Sequence, residues 1–177
     1  PLLVKPLQLR SSSLFDPFPQ DGLLGLKAND LVLGGSKGLR LCLTRVPSEE
    51  GGIAPRLGAQ ELVAAVPALA DVASIEARSL FRLPSPSLTP KHLIDVAKAI
   101  ETAFADGFDG AVVVQGTDTI EESAFLLDLL IGDERPVVVT GAMRGADAPG
   151  ADGPANLLAA VRVAAAPDAR GLGTLVV

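Results

Sequence analysis

Five consecutive residues, Gln115-Gly116-Thr117-Asp118-Thr119, put two hydroxyls and a carboxylate into one short stretch. It lies between a wholly apolar run, Ala111-Val112-Val113-Val114, and the start of an amphipathic segment. A strand–loop–helix junction of this kind aims free backbone N–H groups and the positive end of a helix dipole at a carboxylate or an oxyanion. Gly116 permits a close backbone turn. Asp118 offers a counter-charge to an ammonium group, and Thr117 offers an activated nucleophile or an orienting donor. The bland alternative is a polar turn with a capping box, Thr119 at the N-cap and Glu122 three residues on. Capping accounts for Thr119 and Glu122 but leaves Thr117 and Asp118 without a role. The residues by themselves leave the two readings level.

A second loop, Gly141-Ala142-Met143-Arg144, follows an apolar run and can pass its backbone close to a ligand. Arg144 reads as a surface ion pair before it reads as a carboxylate clamp. Asp152 reads as a helix cap, and His92, opposite an apolar stripe, as a solvated side chain. Cys42 is the only cysteine and His92 the only histidine, which excludes an internal disulfide, a Cys-rich zinc site, a His cluster and a Ser-His-Asp triad. No metal and no cofactor is expected. The glycines from Gly34 to Gly38 do not match a phosphate loop, and no dinucleotide-type glycine triplet links a strand to a helix.

The elements that position these loops follow one pattern. Ala59–Val66 predicts a short helix ended by Pro67, and Val72–Leu83 a strand ended by Pro84-Ser85-Pro86. Thr89 and Pro90 open a helix with Leu93, Val96, Ala97, Ile100 and Phe104 on one face, stopped by Gly107. After the strand 111–114 and the loop 115–119, a helix is expected to bury Phe125, Leu126, Leu129 and Leu130. Val137–Thr140 is a further buried strand. Asp152 then starts a helix that turns Leu157, Leu158, Val161 and Ala164 inward, and Gly173–Val177 is the last strand. This alternation predicts an α/β fold: a three-layer, doubly wound parallel sheet, with ligands beyond the carboxyl ends of its strands. Three segments fall there: Pro84–Thr89, Gln115–Thr119 and Gly141–Gly153.

Composition agrees with a packed domain. Hydrophobic residues make up 48% of the 177, enough for a core and against disorder. Aromatics reach 3%, with no Trp or Tyr, and the net charge is −6; nucleic acid, which wants stacking platforms and cations, is not an expected partner. No apolar run approaches the roughly 18 residues of a membrane span, so no membrane partner and a cytoplasmic location are expected. Residues 1–47 form a poorly patterned segment and 48–177 the domain proper.

Val114 to Glu122, followed by Pro136-Val137-Val138-Val139-Thr140-Gly141-Ala142-Met143-Arg144 and by Ala151-Asp152-Gly153-Pro154-Ala155-Asn156-Leu157-Leu158, resembles the amino-terminal domain of the bacterial L-asparaginases. The Gly-Thr-Asp-Thr loop, the Gly-Ala-Met-Arg loop and the Ala-Asp-Gly-Pro helix start stand in family order, within a resemblance running from about residue 50 to 177. It implies hydrolysis of the asparagine side-chain amide to aspartate and ammonia, with glutamine as a weaker substrate, by a Thr nucleophile and an acyl-enzyme. Thr117 matches the Thr of the family's second catalytic trio, which a Lys completes, and Asp118 matches the Asp that binds the substrate's amino group and steadies that trio. Ser85 matches a Ser that grips the substrate carboxylate, Ala142 a backbone contact, and Gly116 the pocket wall. The family implies a homotetramer, doubtful for a chain lacking the family's second domain.

Departures from the family pattern set further expectations. The first strand of the family ends in Thr-Gly-Gly-Thr-Ile, whose first Thr is the usual nucleophile; around Ser36 to Leu43 the chain reads Ser-Lys-Gly-Leu-Arg-Leu-Cys-Leu. The Lys of the second trio falls, without gaps, at Pro167. Arg162 and Arg170 are nearby but stay protonated. A poor catalyst or none is therefore expected, since loss of a nucleophile typically costs several orders of magnitude in rate. A frame error or gene decay upstream of Thr44 is expected to account for residues 1–47, with residues 1–30 irregular and Leu39–Leu43 in the first-strand slot. A genuine extension is the alternative. The rival functions are a non-catalytic asparagine-binding or merely folded fragment, an asparaginase-like subunit of a tRNA-dependent amidotransferase, and a flavodoxin-like nucleotide binder, which lacks a phosphate loop.

Overall fold

The computed structural model describes residues 59–81, 83–145 and 148–177, together with the backbone of 40–45. All of these lie in one compact unit, Lys37–Val177. The expectations for residues 1–30 and for the glycines of 34–38 lie outside the described residues.

Five strands form a parallel sheet: β1 (Arg40–Arg45), β2 (Ser74–Ser79), β3 (Gly110–Val114), β4 (Val137–Thr140) and β5 (Thr174–Val176), in the order β2-β1-β3-β4-β5. The first-strand slot is thus filled by Arg40–Arg45, one residue later than Leu39 and two beyond Leu43. Four helices connect them: α1 (Ala59–Ala64), α2 (Pro90–Ala105), α3 (Ile120–Leu130) and α4 (Gly153–Ala165). The strand period of two divides the core. Val112 and Val138 point to one face, where they pack with Ala59, Leu69, Leu157, Ala160, Val161 and Ala164. Ala111, Val113, Val137 and Val139 point to the other, against Val96, Ile100, Phe104, Ala124 and Leu127. Helices on both faces of a parallel sheet make the three-layer, doubly wound arrangement, and β3 and β4 are apolar but for Thr140 because neither face meets water.

Helix α2 keeps the expected face: Leu93, Val96, Ala97, Ile100 and Phe104 are all buried. Gly107, at φ 86°, closes it in the left-handed region that glycine enters freely. Strand β2 is shorter than Val72–Leu83, because a 3-10 turn over Pro67–Asp71 takes up the residues before it. Beyond Ser79 the chain leaves the ladder, and Leu80 and Phe81 pack onto the α2/α3 side.

Three side-chain expectations fail. Helix α3 buries Ser123, Ala124 and Leu127, while Phe125 is 66% exposed and Leu129 65%. The apolar residues of 125–131 crowd every side of the helix, so they define no face, and small residues are what the close approach to the sheet selects. His92 is half-buried rather than solvated: its Nδ1 accepts the Thr89 N–H at 3.1 Å, and its ring lies 4.9 Å from that of Phe81. Thr119 makes no capping box with Glu122, for its hydroxyl is engaged elsewhere.

Candidate functional site

The strands are parallel, so every loop that follows one lies at the same end of the sheet. Ser85 in the turn after β2, Gln115–Thr119 after β3 and Gly141–Arg144 after β4 meet there. In a sheet of order 2-1-3-4-5 the chain reverses direction between β1 and β3, which opens a crevice at their carboxyl ends. Gln115–Thr119 borders it.

Ser85 and Asp118, 33 residues apart, are joined directly: the Ser85 hydroxyl donates to Asp118 Oδ2 at 3.0 Å. Thr119 Oγ1 donates to the Ser85 carbonyl at 3.1 Å, so the threonine that sequence assigned to capping instead ties the two loops together. Ser85 is 3% exposed, whereas Asp118 faces solvent and Thr117 is half-buried. Residues 117–119 form a 3-10 turn rather than the first turn of α3. That turn sets Asp118 toward Ser85.

Two glycines are needed for the fit. A Cβ on Gly116 would sit 2.6 Å from Ser85 Oγ. One on Gly141 would sit 2.8 Å from the Gln115 carbonyl oxygen and 2.9 Å from Thr117 Cγ2. The β3 and β4 loops are therefore in contact, with Ala142 half-buried beside them.

Sequence reasoning missed three supports. Gln115, 5% exposed, donates from Nε2 to the carbonyls of Gly116 (3.3 Å) and Thr119 (3.2 Å), and so holds the loop from beneath. Asp152 makes no side-chain cap for α4; its carboxylate accepts the Met143 and Arg144 N–H groups, both at 2.9 Å. Asn156 donates to the Gly141 carbonyl at 3.0 Å. The signal available was the four-residue spacing of Asp152 and Asn156 directly after a glycine-rich loop. Arg144 makes a backbone contact, donating to the Gly150 carbonyl at 3.0 Å.

The topology corrects one placement. Pro167 opens a 3-10 turn after α4, and Gly171 soon after it donates to the Glu134 carbonyl just before β4. That is the amino end of the sheet, so no side chain at position 167 could serve Thr117. No lysine follows Lys98. A surface depression lined by Glu101, Phe104, Ile131, Asp133 and Arg135 also lies at this far end. Its arginine is used structurally, donating to the Phe104 and Phe108 carbonyls. Among the described residues no group of His, Cys, Asp and Glu could hold a metal, and no helix is long and apolar enough to cross a membrane.

Fold and loops together define a doubly wound α/β domain with a small polar site at its switch point, framed by a Ser–Asp pair and two glycine-dependent loops. The family model described as asparaginase, N-terminal, matches residues 43–177, and the chain belongs to that family. It is 44% identical to L-asparaginase 2 of Bacillus subtilis (strain 168) over 122 residues, covering 68% of this chain and 32% of the relative. It is 40% identical to the glutaminase-asparaginase of Pseudomonas aeruginosa over 124 residues, covering 70% and 34%. The crystal structure of a probable cytoplasmic L-asparaginase from Campylobacter jejuni superposes with a TM-score of 0.73 at 36% identity, over 78% of this chain and 43% of that one. The chain thus spans about a third of the length of the curated relatives it matches.

Proposed function

We propose that this chain is the asparagine-binding half of an L-asparagine amidohydrolase, set in the cytoplasm, and that glutamine enters the same site less readily. The observation that carries the reading is the Ser85–Asp118 hydrogen bond at the mouth of the Gly116 turn. A free amino acid presents an ammonium and a carboxylate on one carbon, and a carboxylate beside a hydroxyl complements that pair. The Ser85 hydroxyl donates its proton to Asp118. As a ligand's ammonium takes over Asp118, the Ser85 hydroxyl is released to turn toward the ligand's carboxylate. Both partners then gain charge-assisted hydrogen bonds. Thr117 stands next to this pair with its hydroxyl unbonded among the described residues, and Ala142 brings a backbone face from the β4 loop.

Binding is better supported than turnover. Attack by Thr117 on the amide carbon needs a base to take its proton, and the described residues around it supply Asp118 and no amine. A base has to come from a loop at the carboxyl end of the sheet. By itself the chain is therefore an asparagine binder with slow or no release of ammonia. Calorimetric titration with L-asparagine, run beside an ammonia-release assay, tests both halves. Saturable heats with negligible ammonia are expected; absence of heats overturns the binding reading, and rapid ammonia release overturns the missing-base argument.

A further inference from the structure

The loop that carries Ala142 is tied to a single turn of chain at the start of α4. Asp152 and Asn156 are four residues apart and so face the same way. Asp152 Oδ2 accepts the Met143 N–H and its Oδ1 accepts the Arg144 N–H, each at 2.9 Å. Asn156 Nδ2 donates to the Gly141 carbonyl at 3.0 Å and to Asp152 Oδ2 at 3.3 Å, which locks the two side chains to each other. The start of α4 also packs beside this loop, for a Cβ on Gly153 would lie 3.5 Å from Ala142 Cβ, in ordinary contact. The Gly141 carbonyl and the N–H groups of Met143 and Arg144 are thus occupied by the Asp152 and Asn156 side chains. Among the described residues, neither the N–H nor the C=O of Ala142 is hydrogen-bonded. The N–H of Met143, followed by that of Arg144, lowers the Asp152 carboxyl below its ordinary value, so both oxygens accept at neutral pH.

We propose that Asp152 and Asn156 form a clamp that presents the free peptide groups of Ala142 to an amino-acid ligand, with Asp152 as the site's positioning residue. This rests on the reading of Ala142 as a ligand contact. A helix cap would leave the loop untouched, whereas this carboxylate reaches back across the loop and skips the one residue the ligand needs. Two exposed backbone groups are thereby held in place without being consumed.

The test uses the full chain and the variants Asp152→Ala, Asp152→Asn and Asn156→Ala. Amide hydrogen exchange at Met143 and Arg144 is expected to accelerate about tenfold or more in Asp152→Ala, as hydrogen bonds to a charged acceptor are lost, with core amides of β3 and α2 unchanged. Asp152→Asn, which keeps the shape and one acceptor oxygen, is expected to fall between. L-asparagine affinity should drop about tenfold in Asp152→Ala while the thermal midpoint of unfolding holds, a split that a merely structural residue would not give. If Asp152→Ala loosens the core as well, the volume-preserving Asp152→Asn takes over the same comparison. Unchanged exchange at both amides overturns the clamp. Faster exchange with undiminished affinity overturns its service to the ligand. If the wild-type chain binds no L-asparagine, the substrate reading is wrong, and the exchange rates alone then decide the clamp.

Discussion

At the scale of single residues, the site depends on a few short side chains that must be small or charged. Asp118→Ala should remove the ammonium's counter-charge and reduce L-asparagine affinity at least about tenfold, since hydrogen bonds to charged groups contribute about 1.5–3 kcal/mol. Calorimetry on the variant checks this, and unchanged heats would refute the role. Gly116→Ala should act differently. Its new Cβ, 2.6 Å from Ser85 Oγ, must push the hydroxyl off Asp118, and overpacking of this kind costs about 1–3 kcal/mol in a urea titration. The place of Thr117 and Asp118 in a loop between β3 and α3 was legible because a strand, a turn and a helix start frame them in the sequence. The duties of Thr119 and Asp152 were not, because a short polar residue before a helix looks the same whether it caps its own helix or reaches another loop. Only the tertiary neighbour decides, and the neighbours here, Ser85 and Met143, are 34 and 9 residues away.

At the scale of elements, α3 separates what a periodic pattern can tell from what it cannot. In α2 the apolar residues recur at three and four against charged ones, so the buried face is unambiguous. In α3 nearly all of 125–131 is apolar, and the choice falls to Ser123, Ala124 and Leu127, whose size the sheet dictates. Leu127→Ala should therefore cost about 2–5 kcal/mol in denaturant unfolding, while Phe125→Ser should stay within about 0.5 kcal/mol. A large loss on Phe125→Ser would mean that its face is covered. The carboxyl end of α2 has its own fastening. Arg135 donates to two carbonyls there, lies 4.2 Å over the Phe104 ring, and pairs with Asp133. The Arg135 side chain, by hydrogen-bonding it, holds the Asp133 carboxyl down to about 2 from 3.8. A depressed carboxyl stabilises the fold above its unfolded value and loses that contribution as pH falls from about 4 toward 2. Because the pair is partly exposed, the effect should be at most about 1 kcal/mol, and Asp133→Asn should flatten that stretch of the stability–pH curve.

At the scale of the whole molecule, the alternation of elements gave the layers, and the parallel sheet then fixed where the candidate loops lie. All three candidate loops fell at one end because parallel strands leave no other choice. The same rule exposed the misplaced lysine position: an ungapped count along the chain ignores that α4 returns to the far end of the sheet before residue 167. Periods and caps put the start of the domain at residue 48, whereas the family match begins at residue 43 and β1 already at Arg40. What precedes that boundary had no period to read. The central claim is that Ser85, Gly116–Thr119 and Ala142 form one amino-acid site. It is tested most directly by following backbone amide shifts of the full chain during titration with L-asparagine. The account predicts saturable shifts confined to residues 85–89, 115–119 and 141–145, all with one dissociation constant. Shifts centred instead on Glu101, Phe104 and Arg135 at the opposite end of the sheet would contradict it.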